Sequence, residues 1–325
     1  MSRTAATLRW GWIPALPIRR AVCFGLLMLL LTGCSEDNQQ SCRIGMAADL
    51  PLLANTMIPA VKASLDGRDV VLFIDTGAVM SSVSSSAAER FALSGGMGSR
   101  SVTLGGIGGA IIAPLVTVRH LGLGYGHARD IELPVLPGLP ASVQGLPVLG
   151  LFGADFMANY DVDIDIPNHH FALYLLHHCG KNIQPFDPPY FQVPFQLDGT
   201  AIKLDLKLND TALNAVLDSG SSITTITEED AERAGVTKTL LASDPGNTRL
   251  IGIDHHLIKA RRHQFGSLEI GDEQMRNFHF AVADISSGTS LLGADFLRLN
   301  HVWISYSRQM LFIQPANDLM HATVK

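Results

Sequence analysis

The feature that most constrains what this chain can fold into is that it repeats itself. Asp75-Thr76-Gly77 stands 143 residues before Asp218-Ser219-Gly220, and the surroundings follow in the same order. Upstream, Leu65-Asp66-Gly67 falls on Leu208-Asn209-Asp210. Asp-Gly between alternating apolar runs is a strong hairpin signal, and Asn-Asp is a tolerable substitute in the same turn. Each Asp is therefore entered through a β-hairpin, with strands at 59–65 and 70–74, then at 203–208 and 212–217. Downstream, Ala88-Glu89-Arg90 falls on Ala231-Glu232-Arg233. Both read as short helices, the second opened by Thr227 with Asp230 three residues on, the first stopped at Gly95. Gly153-Ala154-Asp155-Phe156 then matches Gly293-Ala294-Asp295-Phe296 at nearly the same offset. A hairpin follows in each half, 162–166 with 171–175 and 302–306 with 311–314. Matches that keep their order imply two homologous lobes.

Composition fits that reading. The chain has 325 residues, 47% hydrophobic and 17% charged, which leaves no low-complexity tract and suits about two domains of ~150 residues. Thirty glycines and short Val/Ile/Leu segments point to a mostly β protein with frequent turns. The expected divisions are a signal at 1–33, a tether at 34–46, a first lobe at 47–178, a linker at 179–189 and a second lobe at 190–325. The linker contains Pro185-Phe186-Asp187-Pro188-Pro189, a composition that behaves as a semi-rigid spacer. The net charge of −6, without a basic patch, excludes nucleic acid as an expected partner.

The N-terminus reads as a targeting segment. Arg19 and Arg20 precede an apolar run from Ala21 to Leu31, about half of the ~20 residues that would span a bilayer. It ends in Leu31-Thr32-Gly33-Cys34, which resembles a bacterial lipoprotein signal cut before a lipidated Cys34. Ser35 after the Cys implies, by the same resemblance, sorting to the outer membrane facing the periplasm. The expected partners are thus a membrane, through that lipid, and a peptide or protein substrate, for a monomeric chain. Export places Cys42 and Cys179 in an oxidising compartment, where such a pair tends to close.

Two Asp-Thr/Ser-Gly loops at equivalent places are a stronger signal than either alone. In each, an apolar strand runs into the Asp, and the Gly permits a tight turn that leaves the carboxyl at a loop tip. A pseudo-twofold axis would face the carboxyls at each other. Two ionised carboxylates ~4 Å apart repel by about 4 kcal/mol at an effective dielectric near 20. Such a pair therefore holds one shared proton near working pH and can act as acid and base together. Asp155 and Asp295 also recur, but an Asp after Gly at a helix start reads as an N-cap.

Phe73-Ile74-Asp75-Thr76-Gly77-Ala78 and Val216-Leu217-Asp218-Ser219-Gly220-Ser221 resemble the active-site loops of retropepsin-like and pepsin-like aspartic peptidases. Leu151-Phe152-Gly153 and Leu291-Leu292-Gly293 resemble the apolar-apolar-Gly element behind those loops. The resemblance spans both lobes. It implies two β-rich lobes with a cleft between them, catalysis by Asp75 and Asp218, and no cofactor. It also implies that Thr76 and Ser219 hydrogen-bond across to the opposite loop, with Gly77, Gly220 and Ser221 supporting the pair. Flap candidates are Gly106-Ile107-Gly108 and Gly252-Ile253-Asp254, neither of which carries the Tyr of a pepsin-type flap. Ala78 against Ser221 is a second asymmetry, and the Ser221 hydroxyl is expected to donate to Asp218.

Two further patterns are read structurally. Asp161, Asp163 and Asp165 alternate with Val162, Ile164 and Ile166, as on a strand with a polar outer face; a calcium loop would need a central Gly and a closing Glu that are missing. The His169-His170, His177-His178 and His255-His256 pairs face opposite ways on a strand, so no metal is expected. The rival to a peptidase is a catalytically silent lipoprotein whose cleft binds a peptide or cell-wall component.

Overall fold

The computed structural model describes residues 41–96, 100–180, 183–253 and 256–316. The expected signal, the lipidation site Cys34 and the flap candidate Asp254 lie outside them. The chain is mostly β, in two barrel-like lobes built on one plan. In lobe 1 the hairpin strands Ala60–Leu65 and Arg68–Ile74 pair in register from Ala60↔Phe73 to Leu65↔Arg68. Asp66 and Gly67 take positive φ (48° and 78°) at the turn. In lobe 2, Ala201–Leu208 and Thr211–Leu217 do the same, and Asn209 and Asp210 (47° and 65°) replace Asp-Gly. Each barrel closes by pairing its hairpin to a long strand, Ser64↔Gly122 in lobe 1 and Leu206↔Ile270 in lobe 2.

The helices are short. Ser85–Arg90 is capped by Ser84 and Glu228–Arg233 by Thr227, whose hydroxyl accepts the Asp230 N–H at 3.0 Å. The first helix ends before Gly95: Ala92 supplies the left-handed residue (φ 50°). Gly95 is needed instead where a Cβ would lie 2.7 Å from the Leu115 carbonyl oxygen.

A six-stranded sheet forms the seam between the lobes. It runs Arg43–Pro51, His170–His177, Asp161–Asp165, Asn300–Ser305, Met310–Pro315 and Phe191–Pro194, and the two lobes meet where Asp161–Asp165 pairs antiparallel with Asn300–Ser305. Its first strand begins at Arg43, inside the stretch expected to be tether, and the Cys42–Cys179 disulfide ties that edge strand to its neighbour. One face of the seam carries Val162, Ile164, Phe171, Leu173, Val302, Ile304, Leu311 and Ile313, all buried in a core that runs continuously through both lobes. The other face carries Asp161, Asp163 and Asp165, and these are 4–6% exposed rather than outward in solvent. They are covered because the facing strand supplies His301 and Trp303, and because the linker packs there. Phe186 lies 4.4 Å from the His301 ring, and Gln314 Nε2 donates to the Asp187 carbonyl at 2.7 Å.

Candidate active site

Each Asp emerges where a strand ends beside a parallel neighbour. Ile74 pairs with Phe152 and Leu217 with Leu292, and the Asp75 and Asp218 N–H groups donate to the Phe152 and Leu292 carbonyls at 3.0 and 2.9 Å. The chain then turns sharply enough for its own N–H groups to reach back. Gly77 N–H and Ala78 N–H donate to Asp75 Oδ1 at 3.0 and 2.9 Å; Gly220 N–H and Ser221 N–H donate to Asp218 Oδ1 at 2.9 and 3.0 Å. Both carboxyls are thus fixed by backbone, which no rotamer change can undo.

The two loops are locked to each other through buried hydroxyls. Thr76 Oγ1 donates to the Leu217 carbonyl (2.7 Å) and accepts from Ser219 N–H (2.9 Å). Ser219 Oγ donates to the Ile74 carbonyl (2.7 Å) and accepts from Thr76 N–H (3.0 Å). Removing a partner from such a buried bond costs ~1–3 kcal/mol. The glycines are needed for closeness: a Cβ at Gly77 would sit on the Asp218 carboxyl, and one at Gly220 on the Asp75 carboxyl.

Each carboxyl lies against the opposite loop's glycine, which brings Asp75 and Asp218 close enough for their charges to interact. Burial raises both above the ordinary carboxyl value of 3.8, Asp218 well above it, with the Asp75 charge adding to the push. The backbone N–H groups pull the other way without cancelling it. The titration of such a pair belongs to both residues.

Two expectations are corrected here. The Ser221 hydroxyl donates to the Ile223 carbonyl at 2.8 Å, not to Asp218; the acceptor two residues on satisfies it, and Ser221 serves the carboxyl through its N–H alone. Asp155 and Asp295 are not N-caps. Gly153 and Gly293 hold the cap positions, and the carboxylates sit on the second residue of each helix. Asp155 Oδ1 accepts from Ser81 N–H (2.9 Å) and Oγ (2.7 Å), while Asp295 accepts from Thr224 N–H (2.8 Å) and Oγ1 (2.7 Å). They clamp the end of each Asp loop. Ser81 and Thr224 were findable in the repeat, since they are hydroxyl residues at the same offset as the two Asp. Arg298 was not: it bridges the Met57 carbonyl of lobe 1 and the Ser222 carbonyl of lobe 2, both at 2.7 Å, and the matching lobe-1 position is Ala158.

The flap candidates meet each other. Strands Ser101–Gly106 and Gly109–Leu123 form one hairpin, Thr248–Ile251 and Leu257–Ile270 the other. Ile107 packs against the lobe-2 cluster of Leu250, Ala260 and Ile285, and Ile253 against the lobe-1 cluster of Phe73 and Leu104. Gly106 lets the tips touch, as a Cβ there would lie 2.7 Å from Ile253 Cγ1. Ser286 N–H donates to the Ile107 carbonyl at 2.8 Å. Among the described residues no group of His, Cys, Asp or Glu is arranged to hold a metal ion.

Comparison with known families gives each lobe its own match. Residues 61–159 match the gag-polyprotein aspartyl protease family and residues 204–296 an aspartyl protease family, so each match contains one Asp loop with its clamping carboxylate. No curated protein matches the chain. With one such domain in each lobe, the chain belongs to the retropepsin-like aspartic peptidases, as a duplicated, single-chain member.

Proposed function

We propose that the protein is an aspartic endopeptidase in which Asp75 and Asp218 together activate a water molecule against a peptide bond. The observation that carries the reading is the facing pair: two half-buried carboxyls, one from each lobe, each pushed above the usual carboxyl range and each facing the other loop's glycine. One member of the pair holds the proton while the other is ionised. The ionised partner takes a proton from the water as its oxygen attacks the scissile carbonyl carbon, and the protonated partner gives its proton to the carbonyl oxygen. Collapse of the tetrahedral intermediate passes the proton taken from water on to the departing nitrogen, returns a hydroxyl proton to the other carboxyl and breaks the C–N bond, with no covalent intermediate. Thr76 and Ser219 keep the carboxyls at a fixed spacing through both steps. The crossed flap tips support a substrate held as an extended strand beneath them, its water excluded.

The test is cleavage of a diverse peptide mixture across pH, read by mass spectrometry, with Asp75→Asn and Asp218→Asn beside the wild type. Cleavage should vanish in both variants. Cleavage that survives either exchange, or none by folded wild type at any pH, sinks the reading. Anchoring through Cys34 to the envelope belongs to the same proposal. It rests on the Arg19-Arg20, apolar run and Leu31-Thr32-Gly33-Cys34 series, and failure of Cys34→Ser to shed lipid label would refute it.

A further inference from the structure

The covered face of the seam holds charge that the dyad does not use. Asp163 and Asp165, two residues apart on one strand of lobe 1, are both 6% exposed. Asp165 is served within its own lobe, by Asn168 N–H at 3.1 Å and Asn168 Nδ2 at 2.7 Å. Asp163 is not. Its Oδ1 lies 2.5 Å from Nε2 of His301, which belongs to lobe 2, and its Oδ2 lies 3.8 Å from Nδ1 of His170. His301 Nδ1 is 3.5 Å from Asp165 Oδ2, so one imidazole sits between two carboxylates of the opposite lobe.

The remaining neighbours leave that imidazole as the cation that must answer Asp163 across the seam. From the edge strand, Asp49 takes the other ring nitrogen of His170, Nε2, at 3.0 Å. From the same strand as His170 comes Tyr174, neutral and raised further by burial and by the charges of Asp163 and Asp49. The strand beyond His301 contributes Gln314, uncharged, and the linker contributes the Phe186 ring and a backbone carbonyl. Arg308 is spent on Asp161, at 3.3 Å.

We propose that His301 is a positioning residue: protonated, it latches lobe 2 to Asp163 and Asp165 of lobe 1, and its loss of that proton loosens the seam and sets the alkaline limit of activity. The inference rests on the catalytic reading of Asp75 and Asp218, because each lobe supplies one carboxyl and the seam sets the register between them. A seam that slips moves one member of the pair against the other, and misplacement of about 1 Å can cost ~100-fold in rate. The sign follows from the surroundings. Burial pushes the imidazole down, but the Asp163 bond and the charges of Asp163 and Asp165 push it up by more, so its folded pKa stands above 6.5. The latch is therefore complete below the ordinary histidine value and is lost as pH rises through the folded one.

The molecule carries its own reporter. Of the three tryptophans, Trp303 lies on the seam, stacked 4.7 Å from Tyr174 of lobe 1 and donating to Asp161 at 3.0 Å. In the full chain bearing Trp10→Phe and Trp12→Phe, Trp303 is the single indole. Its emission and the kcat and KM for one cleaved peptide are followed together through neutral pH. The expected result is one emission step above pH 6.5 that coincides with a fall in kcat. His301→Gln should abolish the emission step and lower kcat about fivefold on the acid side, with KM little changed. His170→Gln should keep the step, and Asp163→Asn should remove it, which carries the test if His301→Gln does not fold. A step that persists in the His301 and Asp163 variants overturns the proposal. An emission step that depends on His301 while no peptide is cut upholds the latch and refutes the peptidase reading instead.

Discussion

Around Asp75 and around Asp218 the same bonds recur at matching positions: two N–H groups on each Oδ1, one crossing hydroxyl from each loop, one clamping carboxylate behind each. Among the described residues of the two flap tips they do not recur. Ile107 is tied to lobe 2 by the Ser286 N–H, a bond with no counterpart from Leu139, the matching lobe-1 residue, to the described part of the second tip. Arg298 likewise spans the lobes on one side only. The difference teaches where a duplicated chain is constrained. Two carboxyls that share one proton need matched surroundings. The parts that would meet a peptide, which has a direction, can differ.

The comparison can be broken most sharply at the glycines. Gly77→Ala and Gly220→Ala each drive a methyl onto the opposite carboxyl, and each should lower kcat/KM by about a hundredfold or more. A large loss from one and none from the other would end the claim of equivalence. Thr76→Val and Ser219→Ala each remove a buried hydroxyl that makes two crossing bonds, and denaturant unfolding should show similar losses of about 1–3 kcal/mol. Ser286→Pro removes the donor that ties the first tip to lobe 2. Amide exchange at 106–109 should speed up about fivefold, one bond's worth, while unfolding stability changes little. Smallest is Ser221→Ala, which removes a bond to the Ile223 carbonyl and should cost no more than about 1 kcal/mol. Its acid limit of activity should match wild type; a shifted limit would return the hydroxyl to Asp218.

Much of this was legible in the sequence because local chemistry dictates it. Asp66-Gly67 and Asn209-Asp210 demand left-handed turns, and apolar strands running into Asp-Thr/Ser-Gly have few other uses. The seam was not legible in that way. Asp161, Asp163 and Asp165 look like a solvated strand face because alternation tells which residues share a face, not what covers it. Their cover, His301, Trp303 and Arg308, comes from more than a hundred residues away. Asp155 and Asp295 were misplaced by two positions, since Gly caps by backbone and leaves the carboxylate of the second helical residue free to reach Ser81 or Thr224.

The most direct test of the central claim, one proton shared by two matched carboxyls, is a pH titration of the Asp75 and Asp218 carboxyl carbons by NMR in the unliganded protein. The account predicts two linked steps, with one proton retained well above the ordinary value of 3.8 and with Asp75 titrating differently once Asp218→Asn is introduced. Two independent titrations near 3.8, unchanged by that exchange, would contradict it.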